Sequence, residues 1–213
     1  SAHNVDLDIS GMTIRNGTGS NGGGISVSGG SLKLSEVIIE SCVATFHGGG
    51  VYISASASEL EVTGCTFQDC TAVTDGGGIY VSSPVQLTVV DSTFTTCQSE
   101  DDGGGISRGG GTPVSSTTLL NTTFESCTAR GGGGLSAGGV VQLTDCDFTS
   151  CEATDLYGGG VSIGADSEVS LSECTFMSNT ADQSGGAIST AKNGTVDAQW
   201  CQFSLNTAGG SGG

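Results

Sequence analysis

The stretch GGGIYVSSPVQLTVVDSTFTTCQSEDD, residues 76–102, decides the fold, because its elements return in the same order along the whole chain. A glycine run followed by an aliphatic residue recurs as GGGI from Gly22, GGGV from Gly48, GGGI from Gly76 and Gly103, GGGL from Gly132, GGGV from Gly158 and GGAI from Gly185. Successive anchors stand 26, 28, 27, 29, 26 and 27 residues apart, a period of about 27, inside the range of stacked repeat architectures.

A second column follows each anchor. It reads Ile39, Phe67, Phe94, Phe124, Phe148, Phe176 and Phe203, with Ile14 in a partial leading turn. Three residues beyond it stand Cys42, Cys70, Cys97, Cys127, Cys151, Asn179 and Asn206. Counting back from the Phe column by two, five and seven residues gives further columns. The first holds Cys65, Cys146, Cys174 and Cys201 among Met12, Val37, Ser92 and Thr122; the other two are almost entirely Leu, Val and Ile. Alternation with period two means strands, and no window carries a helical period. Thr13, Thr66, Thr93, Thr123 and Thr175, one residue before the second column, then face outward.

Short strands with one apolar face are stable only when the next turn stacks on them, at about 4.8 Å. The expected fold is therefore all-β: a right-handed, single-stranded parallel β-helix of about eight turns and three short strands per turn, forming one domain over residues 1–213. Glycine at the anchor supplies the sharp bend or positive φ where the coil turns. Length variation falls in turns such as Ser99–Asp102 and the triple glycine at 109–111. Arg108 occupies an apolar track with Val27, Ile53, Val81, Ala137 and Ile163, and a local bulge is expected to turn it outward.

Twenty-two acidic residues face five basic ones, a net charge of -17 that argues against nucleic-acid and anionic-lipid partners. No apolar run is long enough to span a membrane, and no cofactor is expected. Calcium is compatible with the acidity, but no motif indicates it. The nine cysteines fall in the two columns named above, without zinc spacing, and neither His3 nor His47 lies in phase with them. Stacked turns bring Cα atoms into disulfide range, and a stack of buried free thiols replacing an asparagine ladder is the alternative. Sequons at Asn16, Asn121 and Asn193 are candidate glycosylation sites.

The alternation of GGAI (Gly185 to Ile188) with FMSN (Phe176 to Asn179) resembles the repeat of the chlamydial polymorphic outer membrane proteins and related surface β-helices. That resemblance implies an extended, adhesive surface or passenger region with no catalytic set to transfer. Five of the seven asparagine positions are cysteine here.

Function is therefore expected to be structural: an extracellular or cell-surface scaffold, a fibre or filament subunit, or an adhesin segment, with a host-surface molecule or glycan as partner. The alternative is a polysaccharide-binding or polysaccharide-degrading β-helix. Against catalysis, Glu40, Asp69, Glu125 and Glu152 are spread along the axis, and Asp101 and Asp102 lie in a turn. A mixed column two residues past the Thr row, including Arg15, Glu40 and Met177, argues against ice binding. One further period from Gly185 reaches Gly212, so continuation into another turn or end-to-end stacking is expected.

Overall fold

The computed structural model describes residues 6–82, 84–109 and 115–212. His3, Gly110, Gly111 and Gly213 lie outside them.

The first turn sets the pattern: β1 (Leu7–Ser10), β2 (Thr13–Arg15), β3 (Thr18–Gly19) and β4 (Ile25–Val27). Each begins one sheet. Three sheets have eight strands and the fourth has seven, so seven full turns are followed by a partial eighth. All ladders are parallel, and every strand pairs with its counterparts one turn away. There are therefore four strands per turn, not the three expected. The additional sheet is built from two-residue strands such as Thr71–Ala72 and Thr128–Ala129, which follow the Cys/Asn column. A pair of residues is too short to show alternation in the sequence, yet each pair finds its ladder once the neighbouring columns are in register.

Register is residue on residue: Phe67 pairs Phe94, which pairs Phe124, which pairs Phe148. Because the ladder holds turns at strand spacing, the rings stack nearly parallel with centroids 4.6–5.0 Å apart. Leu34, Leu60, Val62, Val89 and Leu119 fill the first sheet's inner face, and Ile53, Ile79, Val81 and Ile106 the fourth's. The Thr row is outward, with Thr66, Thr93 and Thr123 partly exposed.

Backbone sterics explain the corners. The first glycine of every anchor, Gly22 through Gly212, has φ of 64–71°, as expected. At the third position of the first six anchors a side chain would collide, a Cβ on Gly105 lying 2.6 Å from Phe124 Cδ1, while the seventh anchor has Ala187 there. Two further left-handed corners per turn are occupied largely by other residues. One precedes the second sheet (Gly11, Glu36, Gly64, Asp91, Asn121, Asp145, Glu173, Trp200) and the other precedes the Cys/Asn column (Asn16, Ser41, Asp69, Thr96, Ser126, Ser150, Ser178, Leu205). A left-handed conformation costs a non-glycine residue about 1–3 kcal/mol, which the surrounding ladders must offset.

Arg108 is a correction. It does not turn outward: it is 5% exposed and stays in the inner track. Nη1 donates to Ser116 O at 2.6 Å and Thr117 Oγ1 at 3.0 Å, and Nη2 donates to Val85 O. Thr117 is itself the one polar residue among the leucines and valines of its column, so the two departures from the repeat satisfy each other.

Two outcomes test this packing. Phe94→Ala is expected to lower unfolding free energy by about 3–5 kcal/mol in chemical denaturation, because a fully buried ring is lost between two others. Glu36→Gly is expected to raise it by about 1 kcal/mol, since Glu36 holds φ of 55° between turns that have Gly11 and Gly64 at the same corner.

Candidate functional site

Both cysteine columns point into the core. Eight of the nine are buried, Cys201 is partly exposed, and all nine are free thiols. In the first column, Cys70, Cys97, Cys127 and Cys151 donate to the carbonyls of Ile39, Phe67, Phe94 and Phe124, one turn back, at 3.4–3.6 Å. Asn179 and Asn206 make the same bond to Phe148 and Phe176 at 2.9 Å. The Asn179 amide oxygen also accepts the Cys151 N–H. A thiol thus reproduces the asparagine's axial donor in weaker form.

Both columns also bond to the carbonyl two residues earlier, at 3.5–3.7 Å in the first column and at shorter range in the second. Cys65, Ser92, Thr122, Cys146 and Cys174 each donate to the carbonyl two residues earlier, at 2.8–3.3 Å. Any short side chain with one donor meets that demand, which is why Cys, Ser and Thr interchange there. Burial pushes the Cys65 thiol above its ordinary pKa, so it stays protonated and suited to donating. These are structural roles.

The sequon residues Asn16, Asn121 and Asn193 are exposed, each at positive φ. Two are bonded along the axis: Asn121 Nδ2 donates to Asp91 Oδ1 at 2.7 Å, and Asn193 Nδ2 to Asp166 Oδ1 at 2.8 Å. A glycan on Nδ2 would leave one N–H for that bond.

Titratable groups do gather at one corner, contrary to the sequence reading. The residue before each glycine anchor forms a column of its own, and in three successive turns it is His47, Asp75 and Asp102. The chain arrives there from the short third sheet and leaves through the glycine bend, so this side chain projects at the edge of the solenoid. His47 Nδ1 lies 3.2 Å from Asp75 Oδ2 and 2.8 Å from Thr74 Oγ1. Asp75 Oδ1 accepts the Asp102 N–H at 3.1 Å. Burial, and then the charge of Asp75, hold the Asp102 carboxyl above the ordinary carboxylate range, against the pull of Arg130.

Two tyrosines of the fourth sheet flank this file. Tyr52 and Tyr80 stack with centroids 5.7 Å apart, and the His47 ring lies 4.4 Å from Tyr80. At the matching position the other turns have Ser26, Ser107, Ser136, Ser162 and Ser189. Phe46, next to His47, is exposed, as are Val43 and Val73 nearby on the third sheet. With Asp75 accepting from Nδ1–H, Nε2 would be the acceptor nitrogen of the imidazole. The column mixes residue types, so no repeated letter signals it; only listing the residue before each anchor reveals it.

Other predicted groups remain apart. Asp69 bonds to Thr96, and Arg15 pairs with Glu40 at 3.8 Å. Among the described residues, no group of three or more His, Cys, Asp or Glu is placed to hold a metal ion.

The model of the right-handed β-helix region matches residues 2–152. No curated protein and no solved structure matches the chain. The family match covers more than two thirds of the chain and agrees with parallel sheets, a period of about 27 residues and unbroken axial stacks. The chain belongs to the right-handed β-helix family.

Proposed function

We propose that the chain is a non-catalytic structural β-helix of an extracellular or cell-surface protein, serving as scaffold, fibre or adhesive rod. One observation carries this reading: among the described residues the inward columns hold a charged side chain only at Arg108, and that departure is satisfied within the core and not toward solvent. An active site is where a repeat normally surrenders its regularity to an exposed cleft. Among the described residues one open depression of about 570 Å³ is lined by Asp145, Glu173, Thr175, Trp200 and Gln202, and a smaller groove of about 270 Å³ runs along Val43, Thr71, Val73 and Gln98 on the third sheet. The cell-surface assignment is supported by the resemblance to the GGAI and FxxN repeats.

Self-association end to end, or continuation into further turns, belongs to the same reading. Apolar stacks and parallel strand edges are surfaces on which a further layer can add.

The file of His47, Asp75 and Asp102 beside Tyr52 and Tyr80 favours a second reading, a polysaccharide-binding or polysaccharide-degrading β-helix. Tyrosine faces and adjoining carboxylates are the groups such a ligand would use.

Incubation with a panel of acidic and neutral polysaccharides separates the two readings. The expected result is no turnover, with rods in electron micrographs that lengthen as concentration rises. Turnover that disappears in Asp75→Asn or Asp102→Asn would refute the structural reading, and saturable binding lost in Tyr52→Ser would establish the glycan site.

A further inference from the structure

On the third sheet three apolar side chains face solvent within two successive turns. Val43 is 41% exposed, Phe46 54% and Val73 44%. Single exposed aliphatic residues are ordinary on a protein surface, but these break the repeat outward. At the ladder position of Val43 every other turn has Thr, Gln or Glu. The residue after the inward Ala, Ser or Gly of this sheet is Ser, Thr, Glu, Arg, Asp or Gly in every turn but that of Val73. Thr74 N–H donates to the Phe46 carbonyl at 3.0 Å, which holds the chain segments of Phe46 and Val73 side by side. Turns one and four flank the patch, so its exposure does not come from an end of the coil.

The patch opens into the groove of about 270 Å³ along this sheet, and the groove changes character along the axis. Val43 and Val73 line one part, Gln98 and Glu100 the next. Glu100 belongs to the turn after that of Val73, about 4.8 Å along the axis. It is exposed, and none of the ion pairs among the described residues engages it; Asp101 is taken by Arg130 and Asp75 by His47. An apolar wall followed by a free carboxylate suits a side chain with an aliphatic stem and a cationic head. Lysine and arginine cover apolar surface in this way while their charge stays in water. A second copy of the chain fits poorly, because it brings a net charge of -17 to a surface of the same sign.

We propose that this face docks a basic segment of a partner protein. An apolar side chain of the segment rests on Val43, Phe46 and Val73, and an arginine or lysine two residues along reaches Glu100. In an extended chain residues two apart share one face, so a single strand-like stretch presents both. The surface lies on the flank of the rod and is independent of either functional reading above.

The probe is a blocked octapeptide in which serine alternates with valine and arginine in turn, so that one extended face carries both. Titrated into isotope-labelled protein at about 0.15 M salt, where general attraction is screened, it is expected to shift the amide resonances of Val43, Val73 and Glu100 saturably. Glu168, on the first sheet, is expected to keep its signal. Val43→Thr/Val73→Thr, which restores the residue type of neighbouring turns, is expected to weaken binding about tenfold, and Glu100→Gln about threefold. Glu168→Gln is expected to change nothing. Equal affinity in wild type and Val43→Thr/Val73→Thr, or shifts spread over the acidic corners, would mean attraction by charge alone and overturns the proposal. So does the lack of saturable shifts at about 1 mM peptide. A particle mass that falls in Val43→Thr/Val73→Thr without peptide, read by light scattering, assigns the face to a second copy and overturns it too. If the double variant does not fold, the wild-type resonance map and the Glu100→Gln affinity decide.

Discussion

Backbone hydrogen bonds in this molecule run between turns, parallel to the axis of the coil, and the ladder spacing of about 4.8 Å is the constraint from which the interior follows. A residue of one turn meets the same residue of the next, so a side chain is selected for stacking on copies of itself. Phenylalanine does so with parallel rings, 4.6–5.0 Å apart. Asparagine does so by donating to the turn before and accepting from its N–H, as Asn179 does. Cysteine takes the asparagine's place because its sulfur fills the same narrow track and still reaches the carbonyl.

The same constraint sets the cost of turning. A flat strand stacked on its copy must still bend several times per turn to close the coil, and here the bend is made by single left-handed residues. Where the chain passes closest to the Phe column, six of the seven anchors have glycine and the seventh has Ala187. At the other two corners the side chain projects outward, so Asp, Asn, Ser, Glu and even Trp200 are held there. Their strain is over-determined by ladders on both sides. Axial side-chain bonds, such as Asn121 to Asp91, help to hold these corners.

Much of this was legible in the sequence because periodicity is the direct imprint of stacking. Anchors, the Phe column and both cysteine columns were each visible as a recurring letter, and the structure places them in register. What escaped has no recurring letter. The two-residue third sheet is too short to alternate. The destiny of Arg108 depended on Thr117 and on the carbonyls of Ser116 and Val85, which other segments of the coil supply. The His47, Asp75 and Asp102 file is a column by position but not by residue type, so scattered acidity in the sequence became a cluster only when the turns were superposed.

The serial order of the strands also bears on how the rod would answer a pulling force. In every sheet each strand touches only the strands one period before and after it, so tension applied through the two ends of the chain meets one turn at a time. Peeling an end turn would release about 27 residues of slack, on the order of 90 Å of extended chain, from an element that contributed about 4.8 Å of length. From the third turn onward each interface is sealed by stacked phenylalanine rings, an amide or thiol bond and short ladders, with Ile14 and Ile39 taking the place of the rings in the first two turns. Such a molecule would yield in equal, repeated steps, a mechanical fuse with many identical links.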